Sequence, residues 1–142
     1  MIYATQQDIA DIYGTQAVED ALPLDEPDVA AKVTQALRTA SLKVDGYLSV
    51  RYRLPLSSVP EVLRQPTIDI ALYTLAASHT RITDELKDRH DMAIKFLEKI
   101  GMGKAGLGDQ EPRVQADEGG STDGSYFSAN ETHYTRRGRR YT

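Results

Sequence analysis

The sequence predicts an all-α fold: a small helical bundle of about four helices, residues 1–100, followed by an extended C-terminal arm, residues 101–142. Three observations predict it. Apolar residues recur at steps of three and four through residues 29–48 and 83–100, the repeat of one helix face. Gly14, Pro23, Pro55 and Pro60 fall between the periodic runs, where helices start and stop. After Ile100 the texture changes to glycine-rich and polar sequence that has no such period.

The first helix runs from about Gln6 to Tyr13. Thr5 is placed to cap it, Asp8 completes a capping box three residues on, and Gly14 ends it. A short turn follows around Ala17–Ala21, before Pro23. Pro27 suits the first turn of a long second helix, because its missing N–H would have no helical partner there. Asp25, Glu26 and Asp28 put negative charge at the positive end of that helix dipole. Val29, Val33, Leu37, Ala40, Val44 and Tyr47/Leu48 form its apolar stripe. It should end near Ser49–Tyr52, since Pro55 disfavours helical geometry at Leu54.

Pro60 is expected to begin a helical turn, and Pro66 to kink that helix or begin another. The run from Ile70 to Ala77 is apolar almost all round, which marks the central, most buried helix. A last helix from about Thr83 to Ile100 shares a face of Leu86, Ala93, Phe96/Leu97 and Ile100. Asp84/Lys87 and Asp91/Lys95 are its candidate surface pairs.

Beyond it, the glycines from Gly101 to Gly108 close the helix, and Gly119-Gly120-Ser121-Thr122-Asp123-Gly124 has linker composition. Aromatics then return: Tyr126, Phe127, Tyr134 and Tyr141, the last two interleaved with Arg136, Arg137, Arg139 and Arg140. Tyr and Arg are enriched in protein-interface hot spots, so these residues are candidate contacts to a subunit or partner. Ordering such an arm costs about 1–2 kcal/mol per residue. The expectation is that it folds on partner surfaces. The arginine cluster itself reads as a solvated tail end, a phosphate-binding tip or a plug for an acidic protein groove.

Composition narrows the function. The 142 residues contain no cysteine, so neither a disulfide framework nor a thiolate metal site is available. No apolar run approaches the ~18 residues of a membrane span. The N-terminus has neither the basic nor the apolar stretch of a secretion signal, and Asn130-Glu131-Thr132 then reads as a chance sequon. The net charge of -4 is uneven: residues 1–100 carry 11 Lys+Arg against 15 Asp+Glu, while residues 101–142 carry 6 of each. An acidic body with a basic tip is a poor general nucleic-acid binder.

No catalytic or cofactor apparatus emerges. Gly101-x-Gly103-x-x-Gly106 has the form of a dinucleotide fingerprint, but it follows a helix and opens a loop instead of joining a strand to a helix. His79, His90 and His133 lie on separate elements without metal-ligand spacing, and His79 is expected as a hydrogen-bonded, half-buried residue. There is no G-x-S-x-G elbow. The expected reading is no enzyme, no cofactor and no metal. Residues 8–22 resemble a helix-turn-helix, which leaves a DNA-packaging protein of the terminase small-subunit type as an alternative. Residues 1–31 contain no Lys or Arg, however, and Glu19 and Asp20 fall where DNA contacts would be needed.

The most specific stretch is Asp45-Gly46-Tyr47-Leu48-Ser49-Val50-Arg51-Tyr52-Arg53-Leu54-Pro55-Leu56. It resembles the D-G-Y-L-x-x-R-Y-x-L-P-L signature of Mu-like phage head–tail connector (adaptor) proteins. The opening Tyr3-Ala4-Thr5-Gln6-Gln7-Asp8-Ile9, Val59-Pro60-Glu61-Val62-Leu63, the helix from Asp69 to Leu75, and Ala93-x-x-Phe96-Leu97 also agree. The resemblance covers roughly Met1 to Gly108. It implies a helical virion protein in the neck, made in the host cytoplasm. It would form a ring of about twelve copies that binds the portal and a downstream neck or tail-completion protein. Genomic DNA would pass as non-specific cargo along negatively charged walls. A non-virion assembly chaperone is the remaining alternative. Within the signature, Gly46 is expected to allow close helix approach, Tyr47 and Leu48 to end the core stripe, and Leu54, Pro55 and Leu56 to stiffen the exit. Arg51, Tyr52 and Arg53 then read either as a packed helix end or as a subunit contact.

Overall fold

The computed structural model describes residues 1–108 of the chain. The described part is all helical: α1 (Gln6–Tyr13), α2 (Gln16–Ala21), α3 (Val29–Leu48), a 3-10 turn (Glu61–Leu63), α4 (Arg64–Ser78) and α5 (Asp84–Gly101). The candidate contacts Tyr126, Phe127, Tyr134, Arg136, Arg137, Arg139, Arg140 and Tyr141 lie outside the described residues.

α1 forms where its cap dictates. The Thr5 hydroxyl accepts from the Asp8 N–H, and the Asp8 carboxylate accepts from the Thr5 N–H at 2.7 Å. Gly14, at φ 85°, ends the helix in a backbone conformation costly for other residues, and its N–H donates to the Ala10 carbonyl. α3 begins one step later than the proline suggests. Asp28 caps it by accepting from the Ala31 N–H, so Pro27 lies outside the first turn. The expected stripe is buried at Val33, Leu37, Ala40, Val44 and Leu48; Ala36 and Ser41 join it, while Val29 and Tyr47 are half-buried at its margins.

α4 is the central helix. Pro66, Thr67, Ile68, Asp69, Ile70, Ala71, Leu72, Leu75 and Ala76 are all buried, on every side of the helix. Pro66 sits in the first turn, where a missing N–H leaves no helical bond unmade, so it begins this helix without kinking it. α3 and α5 both pack against α4, and fully burying each Leu or Ile in these seams contributes about 1.5–3 kcal/mol. α1 and α2 cover part of α4 as a smaller unit.

Thr83 caps α5 by accepting from the Leu86 N–H, and Ala93, Leu97 and Ile100 are its buried residues. The charged pair along it is Arg89 with Glu85. The close approach expected at Gly46 is found elsewhere. A Cβ at Gly46 would meet nothing within 4 Å, whereas one at Gly101 would lie 3.3 Å from the Tyr47 carbonyl oxygen. It is therefore Gly101 that lets the ends of α3 and α5 meet.

The packed body continues past residue 100. Gly103 turns at φ 75°, and Leu107 returns to the core with 2% of its surface exposed. The glycines here end a helix and start a turn, as their position after α5 predicts.

Candidate interaction surfaces

The signature between Asp45 and Leu56 works mostly as an internal junction. Asp45, near the end of α3, accepts a hydrogen bond from the Tyr3 hydroxyl, and its other carboxylate oxygen lies 3.4 Å from the N-terminal ammonium of Met1. The Tyr3 N–H donates to the Ser41 hydroxyl at 3.2 Å. These contacts lay residues 1–5 along α3. Burial, then the Asp45 hydrogen bond, pushes the Tyr3 phenol well above its ordinary pKa.

Further along, Leu48, Tyr52 and Leu56 are core residues. Arg51 is half-buried; its guanidinium stands 5.4 Å from the Tyr52 ring centre and donates to the Ala105 carbonyl at 3.3 Å. The Leu54-Pro55 peptide is cis. Of the three residues read as a possible subunit contact, Tyr52 is thus buried in the core, Arg51 holds the segment after α5, and Arg53 is exposed.

A second tie joins α1 to α4. The Tyr13 hydroxyl donates to Asp69 at 2.5 Å and accepts from Gln65 at 3.3 Å, while Arg89 lies over the Tyr13 ring at 4.3 Å. Burial raises the Asp69 carboxyl above its usual range, against the Tyr13 hydrogen bond and the Arg89 charge. Burial and the Asp69 contact push the Tyr13 phenol up to about 12, against the smaller effects of Gln65 and Arg89. At Asp8 burial opposes ionisation, but the Thr5 hydrogen bonds and Arg64 outweigh it and hold the carboxyl below its ordinary value.

His79 is half-buried, as expected, but its ring makes none of the hydrogen bonds expected of it among the described residues. Its buried Nε2 lies 3.7 Å from Glu26 Oε2 and makes no hydrogen bond within the described residues. His90 instead stacks on Tyr73 at 4.1 Å between ring centres. No group of His, Asp and Glu among the described residues is arranged to hold a metal ion, and none of their helices is long and apolar enough to cross a membrane. In the helix-turn-helix-like pair α1–α2, Glu19 and Asp20 are both exposed, where they would repel phosphate.

Part of the exposed apolar surface lines two grooves on different elements. The first, about 650 Å³, lies between the N-terminal segment and α3 and is lined by Met1, Ile2, Thr34, Leu37, Arg38 and Leu42 among others. The second, about 420 Å³, lies between the start of α4 and α5, with Val62, Pro66, Met92 and Phe96 in its walls. Sequence reasoning missed the first groove. Ile2 and Leu42 lie 40 positions apart in the sequence, and the Tyr3–Asp45 tether brings their segments together.

Comparison with known proteins agrees with this sequence pattern. Residues 3–124 match the family model described as Bacteriophage Mu, Gp36, so the match runs further than the resemblance ending near Gly108 implied. The chain is 35% identical over 127 residues to the Mu-like prophage FluMu protein gp36 of Haemophilus influenzae, an alignment covering 84% of this chain and 86% of that protein. It is 32% identical over 94 residues to Gene product J of Escherichia phage Mu, covering 66% of this chain and 64% of the other. With the family pattern matched over most of its length and two such relatives, the chain belongs to the phage Mu Gp36 family and is a Mu-like phage protein.

Proposed function

We propose that this protein is a structural virion component, a head–tail connector that forms a homo-oligomeric ring between portal and tail and extends the DNA channel. The observation that carries the reading is exposed apolar surface on separate elements of the body, the groove between the N-terminal segment and α3 and the Leu24 loop between α2 and α3 among them. A closed ring needs two different surfaces on each subunit, because each copy contacts one neighbour through one face and the next through another. Three carboxylates serve ties within the body: Asp45 to Tyr3, Asp69 to Tyr13, Asp8 to Thr5. In this reading the chain performs no chemistry. Its partners are further copies of itself, the portal and a downstream neck component. The acidic excess of the body suits a conduit along which DNA slides without sticking.

The test is the copy number of this chain in purified particles, measured by quantitative mass spectrometry against the major capsid protein. About a dozen copies per particle is the expected result for a ring. Absence from particles despite expression during infection would refute the connector role and leave an assembly chaperone or a packaging factor.

A further inference from the structure

We infer that the groove between the N-terminal segment and α3 receives the Leu24 loop of a second copy of this chain. Leu24, between α2 and α3, is 96% exposed, more than any other large apolar residue of the described body. It follows Pro23 in a turn that the Glu26 N–H closes on the Pro23 carbonyl at 3.2 Å. A leucine held outward in this way is not seated in the groove of its own subunit. The groove itself leaves Ile2 at 49% and Leu42 at 62% exposed, over a floor that includes the buried Leu37. At about 650 Å³ it has the size of clefts that enclose whole ligands, room for a leucine with flanking chain.

Charge selects the occupant. The groove lining contains no carboxylate, and its one charged side chain is the exposed Arg38, which has no ion-pair or hydrogen-bond partner among the described residues. The Leu24 loop is acidic throughout: Asp25, Glu26 and Asp28 surround it, with no basic residue before Lys32. Glu26 lies 3.9 Å from the Lys32 ammonium and 3.7 Å from His79 Nε2, and Asp28 caps α3. Asp25 is left beside Leu24, exposed. An apolar knob with an acidic neighbour thus faces an apolar groove with a basic rim, a pairing that favours this register and opposes groove-to-groove or knob-to-knob contact. Knob and groove share no residue, so the contact is head-to-tail and can repeat from copy to copy. Closure of that repeat into a ring rests on the connector reading; the contact itself does not.

The absence of cysteine makes the test direct. Full-length Leu24→Cys and Leu42→Cys variants, one of them isotopically labelled, are mixed and oxidised gently over a range of concentrations. The expected product is a 24–42 disulfide at least fivefold above the 24–24 and 42–42 species, with a ladder of covalent multimers from the double variant. Arg38→Glu should cut the yield severalfold, and Asp25→Arg in the partner variant should restore it. A yield no higher than that of a control pair, Leu24→Cys with Ile82→Cys, would overturn the inference. So would preferential capture of position 42 by a cysteine placed at Phe127, which would assign the groove to the C-terminal arm. In either of those cases the particle copy number still decides the ring separately.

Discussion

The Tyr3–Asp45 tie should be worth enough to measure, and breaking it should open the groove it builds. Tyr3 is 2% exposed and its hydroxyl donates to a carboxylate, an interaction of about 1.5–3 kcal/mol when the partner is charged. Asp45 keeps a second contact to the Met1 ammonium, but both groups are 20% exposed and that pair adds at most about 1 kcal/mol. Tyr3→Phe should therefore destabilise the body by about 1.5 kcal/mol. Asp45→Ala should cost about 2 kcal/mol, because it leaves a buried phenol without its acceptor. The double variant should fall short of the sum by about 1–2 kcal/mol, the coupling expected of residues in contact.

Urea unfolding of the four proteins reads this directly. A slope of about 1–1.5 kcal/mol per molar, usual for a body of this size, converts each single loss into a midpoint shift of about 1–2 M. Asp45→Asn retains an oxygen acceptor and should recover most of the loss. Additivity of the two single changes to within about 0.3 kcal/mol would refute the tie. With it would go the account of how residues 1–5 come to line the groove.

Other expectations follow from the same ties. Arg51→Ala should speed amide exchange across Gly103–Leu107 and cost about 1 kcal/mol, since the Arg51–Ala105 hydrogen bond is one of the anchors of that segment. The raised Asp69 carboxyl means that folding favours its protonated form, so its contribution to stability is lost as pH rises from 3.8 through the folded value. Asp69→Asn keeps an acceptor for Tyr13 and should be at least as stable as the parent at pH 7, with a flatter profile across that window; a loss above about 2 kcal/mol would show that the charge itself is needed. At the alkaline end, Tyr13 ionises near 10 when unfolded but near 12 when folded, so stability should fall as pH climbs between the two, and Tyr13→Phe should flatten part of that slope. Truncation after Gly108 should leave the body folded, whereas truncation after Ile100 removes the buried Leu107 and the Ala105 acceptor and should cost about 2–4 kcal/mol by thermal or urea unfolding.

The helices were legible because their signals are local. A Thr5–Asp8 box, a Thr83 cap and a stripe at Val33, Leu37, Ala40 and Val44 act within one turn or along one face, which is what a sequence displays. Pro27 misled because two helix-start devices lie side by side, and the Asp28 side chain, which can reach the Ala31 N–H, sets the boundary. The glycines show a different limit. Gly46 and Gly101 both lie in helices, and only the packing of α3 against α5 decides which of them a neighbouring backbone approaches. Asp45 was placed in the signature but its partner lies 42 positions away, and no period or spacing connects the two. The first groove is illegible for the same reason: its two walls come from segments that only the fold unites.

The signature's internal duties bear on where contacts between subunits can form. Asp45 anchors the N-terminal segment, Arg51 anchors the segment leaving α5, and Leu48, Tyr52 and Leu56 fill the core between them. Both ends of the body are thereby fixed to the C-terminal end of one helix. A body whose groove and whose exit at Gly108 are both positioned by packing and hydrogen bonds gains rigidity from such a junction. The two anchors are also separable. Tyr3→Phe loosens the groove without touching Ala105, and Arg51→Ala loosens the root of the arm without touching Tyr3. If the groove forms the contact between copies and the arm serves another partner, the first change should weaken self-association and the second should spare it. Equal loss from both would mean that the groove and the arm serve one interface.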